Sequence, residues 1–179
     1  PDGQHPLVKW VTELVSRRNE TEGAEGGKEL IGPVLSDDLH TSAGSTLLVE
    51  REVAEAIDGF DESFDRFQDP EFLIRVLQQG KLACVDEPLL LRYETGDPPA
   101  DDVRAADEHF RRTFGDTVEH LERQGVDVTG AHHYILARHY LDEGRLKTGL
   151  RYLRSARPPT PRQYPGLLLN LYAGVRHHV

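Results

Sequence analysis

Short continuous runs of apolar residues occur in the first half of the chain, between segments with helical spacing. Thr46-Leu47-Leu48-Val49 is one of these runs and is typical of a buried strand. Residues 82–85 and 89–93 predict two further short strands. Apolar positions in residues 7–18 have the spacing of an amphipathic helix instead. The first half of the chain is therefore expected to be mixed α/β.

Helical spacing dominates after Gly96-Asp97-Pro98-Pro99, which is a natural break. The architectural boundary is therefore placed near Gly96, between a mixed domain over residues 1–95 and a helical extension over residues 96–179. Along the whole chain, the periodicity predicts further helices over residues 52–57, 69–79, 101–114, 117–124, 131–143, 146–156 and 167–175.

Asp69-Pro70-Glu71 has the composition of a helix start, with Asp at the N-cap and Pro at the first helical position. As a cap, Asp69 would stabilise the helix by about 1 kcal/mol. A carboxylate at a loop-to-helix junction can also stay open to a cleft and act on a substrate there. Local sequence leaves both roles open, and one oxygen could cap while the other faces a substrate.

The composition of the chain limits the kinds of partner that it is expected to bind. The chain of 179 residues has a net charge of −10, and its few lysines suggest, as a hypothesis, a protein solvated in concentrated salt. An acidic surface argues against nucleic-acid binding, because a phosphate backbone needs a cationic face. Neither a signal peptide nor a run of about 20 apolar residues is found, so a cytoplasmic location is expected.

Three segments follow one another in an order that carries information about function. Residues 45–64 contain the turn Gly59-Phe60-Asp61-Glu62, and residues 67–76 contain Gln68-Asp69. Residues 80–93 end the series with Arg92-Tyr93. Together they closely resemble the second, acceptor-side half of the GT-A-type domain of family 2 inverting glycosyltransferases. The resemblance implies an α/β fold with a partial, GT-A-like and Rossmann-related sheet, followed by the all-α extension.

The resemblance also implies roles for individual residues. Asp69 stands where the family has its catalytic base, and Gln68 stands where the family has an acid. An inverting transfer needs one base close to the acceptor hydroxyl, on the face opposite the leaving nucleotide. The implied acceptor-binding residues are Gln68, Ser42, Gly44, Ser45 and Arg75. Arg75 can contact a phosphate or form an ion pair with an acid such as Asp61. The ion pair is favoured, because arginines on helices usually pair within the protein.

Family members bind the nucleotide sugar in their first half, through an Asp-x-Asp motif that ligates Mg²⁺ or Mn²⁺ at the diphosphate. Residues 1–44 contain no such motif after an apolar strand, and Asp37-Asp38 is the nearest pair. The cofactor implied by the resemblance is thus a divalent cation whose ligands are not expected in this chain, and no metal site is predicted. The chain alone is expected to be catalytically inactive, as a piece of a longer enzyme or a degenerate remnant.

The C-terminal helices allow a second interpretation. Residues such as Leu136, Tyr140, Gly149 and Leu153 resemble one tetratricopeptide unit, although a stable solenoid needs at least three. The alternative function is a non-catalytic helical module that binds a protein partner and keeps a transferase-like remnant. The partners implied by the transferase are a nucleotide-sugar donor and a glycan or lipid-linked acceptor, and peripheral membrane association is a further candidate.

Overall fold

The computed structural model describes residues 24–39, 44–85, 87, 89–91, 96, 98–161 and 163–176. Within these ranges the protein is mostly helical. None of the described helices is long and apolar enough to cross a membrane. The helices are α1 (Ile31–Leu35), α2 (Arg51–Ala56), α3 (Gln68–Gln79), α4 (Ala100–Thr113), α5 (Gly115–Arg123), α6 (Val128–Asp142), α7 (Leu146–Arg154) and α8 (Tyr164–Arg176).

The prediction of an α/β fold with a GT-A-like, Rossmann-related sheet is wrong. Among the described residues, the only sheet consists of two short antiparallel strands, β1 (Glu25–Gly26) and β2 (Leu82–Ala83). Thr46 ends a 3-10 turn, Gly44–Thr46, and the residues that follow it have no regular structure. The protein is therefore helical, with a minimal β-ladder.

Of the three predicted strands, the one over residues 82–85 is present in part, as β2 (Leu82–Ala83), which pairs with β1. The runs over residues 46–49 and 89–91 form no strand, because an apolar run becomes a strand only where another strand pairs with it. Leu48 is fully exposed, at 100% of its accessible surface, so the run that contains it is not buried. Leu89 and Leu91 are 72% and 77% exposed and likewise lie outside any strand. Apolar composition alone does not reveal whether a partner strand is present.

The helices after residue 50 lie close to where periodicity predicts them. Observed and predicted bounds differ by only a few residues for each of α2 to α8, as is usual for helix ends. Gly59 has φ +65° and ends the turn after α2 in a left-handed conformation, which glycine adopts without strain. The helix predicted over residues 7–18 and the pair Arg92-Tyr93 lie outside the described residues.

The chain divides into two compact units. The first, the motif unit, consists of the described residues between 24 and 96 together with residues 102–128. The second, the hairpin unit, consists of residues 98–101 and the described residues from 129 to 176. Helix α4 begins in the hairpin unit and continues in the motif unit, so α5 and most of α4 pack with the transferase-like segment.

The core of the motif unit is built around one face of α3. Leu73, Ile74 and Leu77 on this helix are at most 2% exposed. They belong to one cluster of buried residues whose other members come from α1, α4, α5, the start of α6 and two connecting segments: Val34, Leu35, Leu39, Phe64, Phe110, Val118 and Val128. Burial of each large apolar side chain contributes about 1.5–3 kcal/mol, so this cluster fixes the orientation of α3.

The hairpin unit depends on small residues where its helices approach one another. A Cβ added at Gly149 of α7 would lie 2.6 Å from Cγ of Leu141 on α6. A Cβ at Gly174 of α8 would overlap the Leu141 carbonyl oxygen and lie 3.0 Å from Cα of Gly144. Glycine is therefore required at positions 149 and 174. Helices α6 and α7 also meet through Tyr140 and Tyr152, whose rings stack with centroids 5.5 Å apart.

Gly174→Ala tests this packing. The added methyl group meets backbone atoms that cannot rotate away, so we expect a loss of about 1–3 kcal/mol or more in the free energy of unfolding. Gly166→Ala on the same helix is the matched control, because no atom lies within 4 Å of its added Cβ. Alanine should leave the stability there unchanged or raise it by up to about 1 kcal/mol. Urea unfolding followed by circular dichroism measures both, and equal effects would contradict the packing described.

Candidate functional site

Helix α3 carries much of the candidate site, and its start differs from the one expected. The helix begins at Gln68, after Phe67 in a left-handed conformation with φ 62°, and no side chain caps it. Asp69 therefore lies inside the first turn and does not act as the N-cap. An acid there still interacts favourably with the helix dipole.

The Asp69 carboxylate is available for other contacts. Asp69 is half-buried. It forms no hydrogen bond or ion pair with any other residue that the structure describes. A half-buried carboxylate at a helix start, engaged neither as a cap nor in a salt bridge, can accept a hydrogen bond from a bound hydroxyl group.

Gly44 lies directly against this carboxylate. A Cβ added at Gly44 would lie 2.6 Å from Oδ1 and 3.6 Å from Oδ2 of Asp69. Gly44 opens the 3-10 turn that also contains the exposed Ser45. Folding thus places the Gly44-Ser45 turn beside Gln68-Asp69, as a shared acceptor site requires. Ser42, the remaining residue predicted for this side, lies outside the described residues.

Arg75 is held within the protein. Its Nε and Nη2 donate hydrogen bonds to the two carboxylate oxygens of Glu71 at 2.6 and 2.8 Å, and its Nη1 donates to the Ile57 carbonyl oxygen. Glu71 is only 2% exposed. The hydrogen bonds that Arg75 donates to Glu71 raise the pKa of Arg75, with longer-range attraction from Asp61 and Asp58. The direct ion pair is therefore made with Glu71 rather than with Asp61.

An open cleft of about 940 Å³ adjoins this ion pair. The turn after α2, one face of α3 and the junction between α4 and α5 form its walls. Phe60 is 49% exposed in the cleft and stacks on the buried Phe72, with ring centroids 4.2 Å apart. Charged side chains also line it: Asp58, Asp61, Glu62, Glu71, Arg75, Arg112 and Asp116.

Asp61 is held in its ionised form. Its Oδ1 accepts a hydrogen bond of 2.8 Å from the backbone N–H of Ser63. This bond and a second one from the Ser63 side chain lower the pKa of Asp61, with a smaller contribution from Arg75 and His109. Ser63 Oγ also lies 3.2 Å from Nε2 of His109. The cleft therefore presents a fixed negative charge beside an exposed aromatic ring.

Two features of the cleft were not identified from the sequence. The pairing of Glu71 with Arg75 had a detectable signal, since the two residues are four apart on a helix. The positions of Arg112 and Asp116 had no detectable signal. Their helices are predicted as part of the C-terminal extension, and no local pattern indicates that these two side chains face the Gly59–Glu62 turn. The cleft does not include Asp69 among its lining residues.

The described residues do not supply the ligands of the Mg²⁺ or Mn²⁺ ion that the resemblance implies. Among them, no three His, Cys, Asp or Glu side chains converge in an arrangement that could hold a metal ion. Asp37 and Asp38 follow helix α1 rather than a strand, and Oδ2 of Asp38 accepts a hydrogen bond from the Ser36 hydroxyl. No chemical step is therefore assigned to a metal held by these residues.

Comparison of the chain with models of protein families, with curated proteins and with solved structures gives no match.

Arg75→Met tests whether the ion pair holds α3 in place. The substitution leaves the Glu71 carboxylate buried without its partner, so we expect a loss of about 3–5 kcal/mol in the free energy of unfolding. Arg51→Met is the matched control, because the Arg51–Glu55 pair has the same spacing but both side chains are more than two-thirds exposed, at 85% and 68%. That change should cost no more than about 1 kcal/mol. Chemical unfolding measures both, and a similar small loss for the two variants would exclude a structural role for the pair.

Proposed function

We propose that the motif unit is the acceptor-binding part of an inverting glycosyltransferase, with Asp69 as the general base. The observation that carries the proposal is the contact between Gly44 and the Asp69 carboxylate. Gly44, from the predicted acceptor-binding run, and Asp69, from the family-like motif, are distant in sequence and meet in the fold, where the half-buried Asp69 has no partner among the described residues. The order of motifs in residues 45–93 supports the same function.

Asp69 would do one thing in this reaction, which is to remove a proton from the acceptor. The carboxylate accepts the proton of an acceptor hydroxyl while that oxygen forms a bond to the anomeric carbon of the donor sugar. The bond from this carbon to the nucleoside diphosphate breaks on the opposite face, so the configuration inverts. Such a base contributes about 10²–10⁴-fold to the rate and must lie within about 3 Å of the hydroxyl oxygen.

The remaining residues would position the acceptor. Gln68 and Ser45 offer neutral hydrogen-bonding groups on either side of Asp69, and Gly44 leaves room for the carboxylate to reach a hydroxyl. Arg75 acts from the neighbouring cleft, where Glu71 fixes its guanidinium group. The nucleotide-sugar donor and the divalent cation stay predictions from the resemblance, and a cytoplasmic location stays a prediction from the pattern of apolar residues in the sequence.

Acceptor binding tests the proposal in the chain itself. We expect glycans or lipid-linked oligosaccharides to shift the amide NMR signals of Gly44, Ser45, Gln68 and Asp69. Nucleotide sugars with Mn²⁺ should not bind with micromolar affinity in isothermal titration, because the described residues lack the metal ligands. If no acceptor in a broad panel shifts these four signals, the proposed function is wrong.

Gly44→Ala provides a sharper check of the site. The new methyl group would lie 2.6 Å from Oδ1 of Asp69 and would displace the carboxylate. We therefore expect a loss of about tenfold or more in acceptor affinity, since small misplacements in a site are costly. Gly166→Ala in α8 is the control, because its added Cβ meets no atom within 4 Å and it lies outside the motif unit. Unchanged affinity in the Gly44 variant would contradict a site at this turn.

Asp69→Asn tests the role as a base in an enzyme that contains this sequence and a donor-binding half. Transfer should fall by about 10²–10⁴-fold while the melting temperature is unchanged. Asp65→Asn removes an exposed acid nearby and should retain activity. Equal activity of the two variants would exclude Asp69 as the base.

The second candidate is a non-catalytic helical module that binds a protein partner. The helical fold favours it, because the described residues contain no extended sheet on which a nucleotide site could be built. An intact fold that responds to no acceptor, together with a protein partner that shifts signals of α6 and α7, would support this alternative over the transferase.

A further inference from the structure

Helix α8 has one face that packs within the hairpin unit. Gly174 lies against the Leu141 carbonyl and Gly144, as described above. Asn170 donates a hydrogen bond to Asp142 at 3.2 Å and accepts one from Arg138 at 3.3 Å. These contacts fix the rotation of the helix about its axis.

A second face of α8 is apolar and exposed. Its side chains recur at positions i, i+4, i+7, i+8 and i+11, which lie along one stripe of a helix. They are between 36% and 63% exposed: Tyr164, Leu168, Leu171, Tyr172 and Val175. Together they expose on the order of 500 Å², a size at which an apolar patch on a monomer is often functional. We call this set the α8 stripe.

The part of the chain that contains the α8 stripe has a basic composition, in contrast to the rest of the protein. From residue 129 to the end, the sequence contains eight Arg and Lys residues and only two acids, Asp142 and Glu143, while the whole chain has a net charge of −10. Arg138, Arg151 and Arg154 of α6 and α7 are exposed, and the helix α8 itself contains no acid.

We propose that the α8 stripe binds the surface of an anionic lipid bilayer. A helix that lies in the interface buries an apolar face and is flanked by cations that attract acidic lipids. Each Arg or Lys close to such a surface strengthens binding, and tyrosine is enriched at the level of the headgroups. Helix α8 has 13 residues and is too short to span a bilayer, so it lies on the surface.

A second copy of the chain fits the stripe less well. Two copies paired through the α8 stripe would bury only about 1,000 Å² in total, the lower limit expected of a specific interface. They would also bring two net-positive regions together, which opposes association. An anionic bilayer attracts the positive charge of this part of the chain and also covers its exposed apolar surface.

The inference goes beyond the proposed function and does not depend on it. A lipid-linked acceptor would be presented at such a surface, but binding of α8 to lipid requires no acceptor. Vesicles without any glycan therefore test the inference alone, and its failure would leave the acceptor-binding test at Asp69 unaffected.

Flotation with vesicles of phosphatidylcholine, with or without phosphatidylglycerol, is the test. We expect the full chain to bind the anionic vesicles more strongly than the neutral ones, and the preference to shrink as salt screens the charges. The double variant Leu168→Asp, Leu171→Asp should weaken binding by about tenfold or more, because it places charge in the apolar face. Leu48→Asp, at a fully exposed leucine of the motif unit, is the control and should bind normally.

A second variant keeps the test decisive if the first one folds poorly. Arg151→Gln with Arg154→Gln should reduce binding to anionic vesicles and leave binding to neutral vesicles unchanged. No flotation of the wild type with anionic vesicles overturns the inference, as does equal flotation of the well-folded stripe variant. A dimer in light scattering that disappears in the stripe variant, without vesicle binding, would assign the stripe to a second copy and also overturn it.

Discussion

Burial of the apolar face of α3 is the constraint on which the motif unit depends. Leu73, Ile74 and Leu77 are almost fully excluded from solvent. With this face fixed in the core, the polar positions of the helix have no freedom to rotate. Packing of α3 thereby sets the sides on which Asp69 and Arg75 lie, and hydrogen bonds to Glu71 and Ile57 then hold the Arg75 guanidinium group.

The ion pair between Glu71 and Arg75 shows how packing and charge are linked in this helix. Glu71 is buried, and a buried carboxylate is tolerated only when its charge is paired. Arg75 provides the pairing with two hydrogen bonds and remains 22% exposed in its side chain. The same residue therefore satisfies the interior and presents a positive group to a cleft that is otherwise mainly acidic.

The two units differ in how they use their surfaces. The motif unit places a partly exposed carboxylate and an acidic cleft on its surface, which suits polar ligands with hydroxyl groups. The hairpin unit leaves apolar side chains of α8 exposed in a basic region, which suits an anionic interface. Helix α8 packs closely against α6 and the turn after it, because Gly174 has no side chain at the point of contact.

Helices α2 to α8 follow from the sequence, since an apolar period of 3.6 residues is a local property that needs no knowledge of neighbours. Helix α1 does not, because it contains Gly32 and Pro33, which are poor helix formers. The resemblance of residues 45–93 pointed to Asp69 as a candidate, and the run that leads into them supplied Gly44. Tertiary structure alone decided that the run around Leu48 is exposed and not a strand, because strand formation depends on a partner elsewhere in the chain. It likewise decided that Asp69 is not a cap and that Arg112 faces the cleft, since both depend on the three-dimensional placement of helices, which no local pattern records.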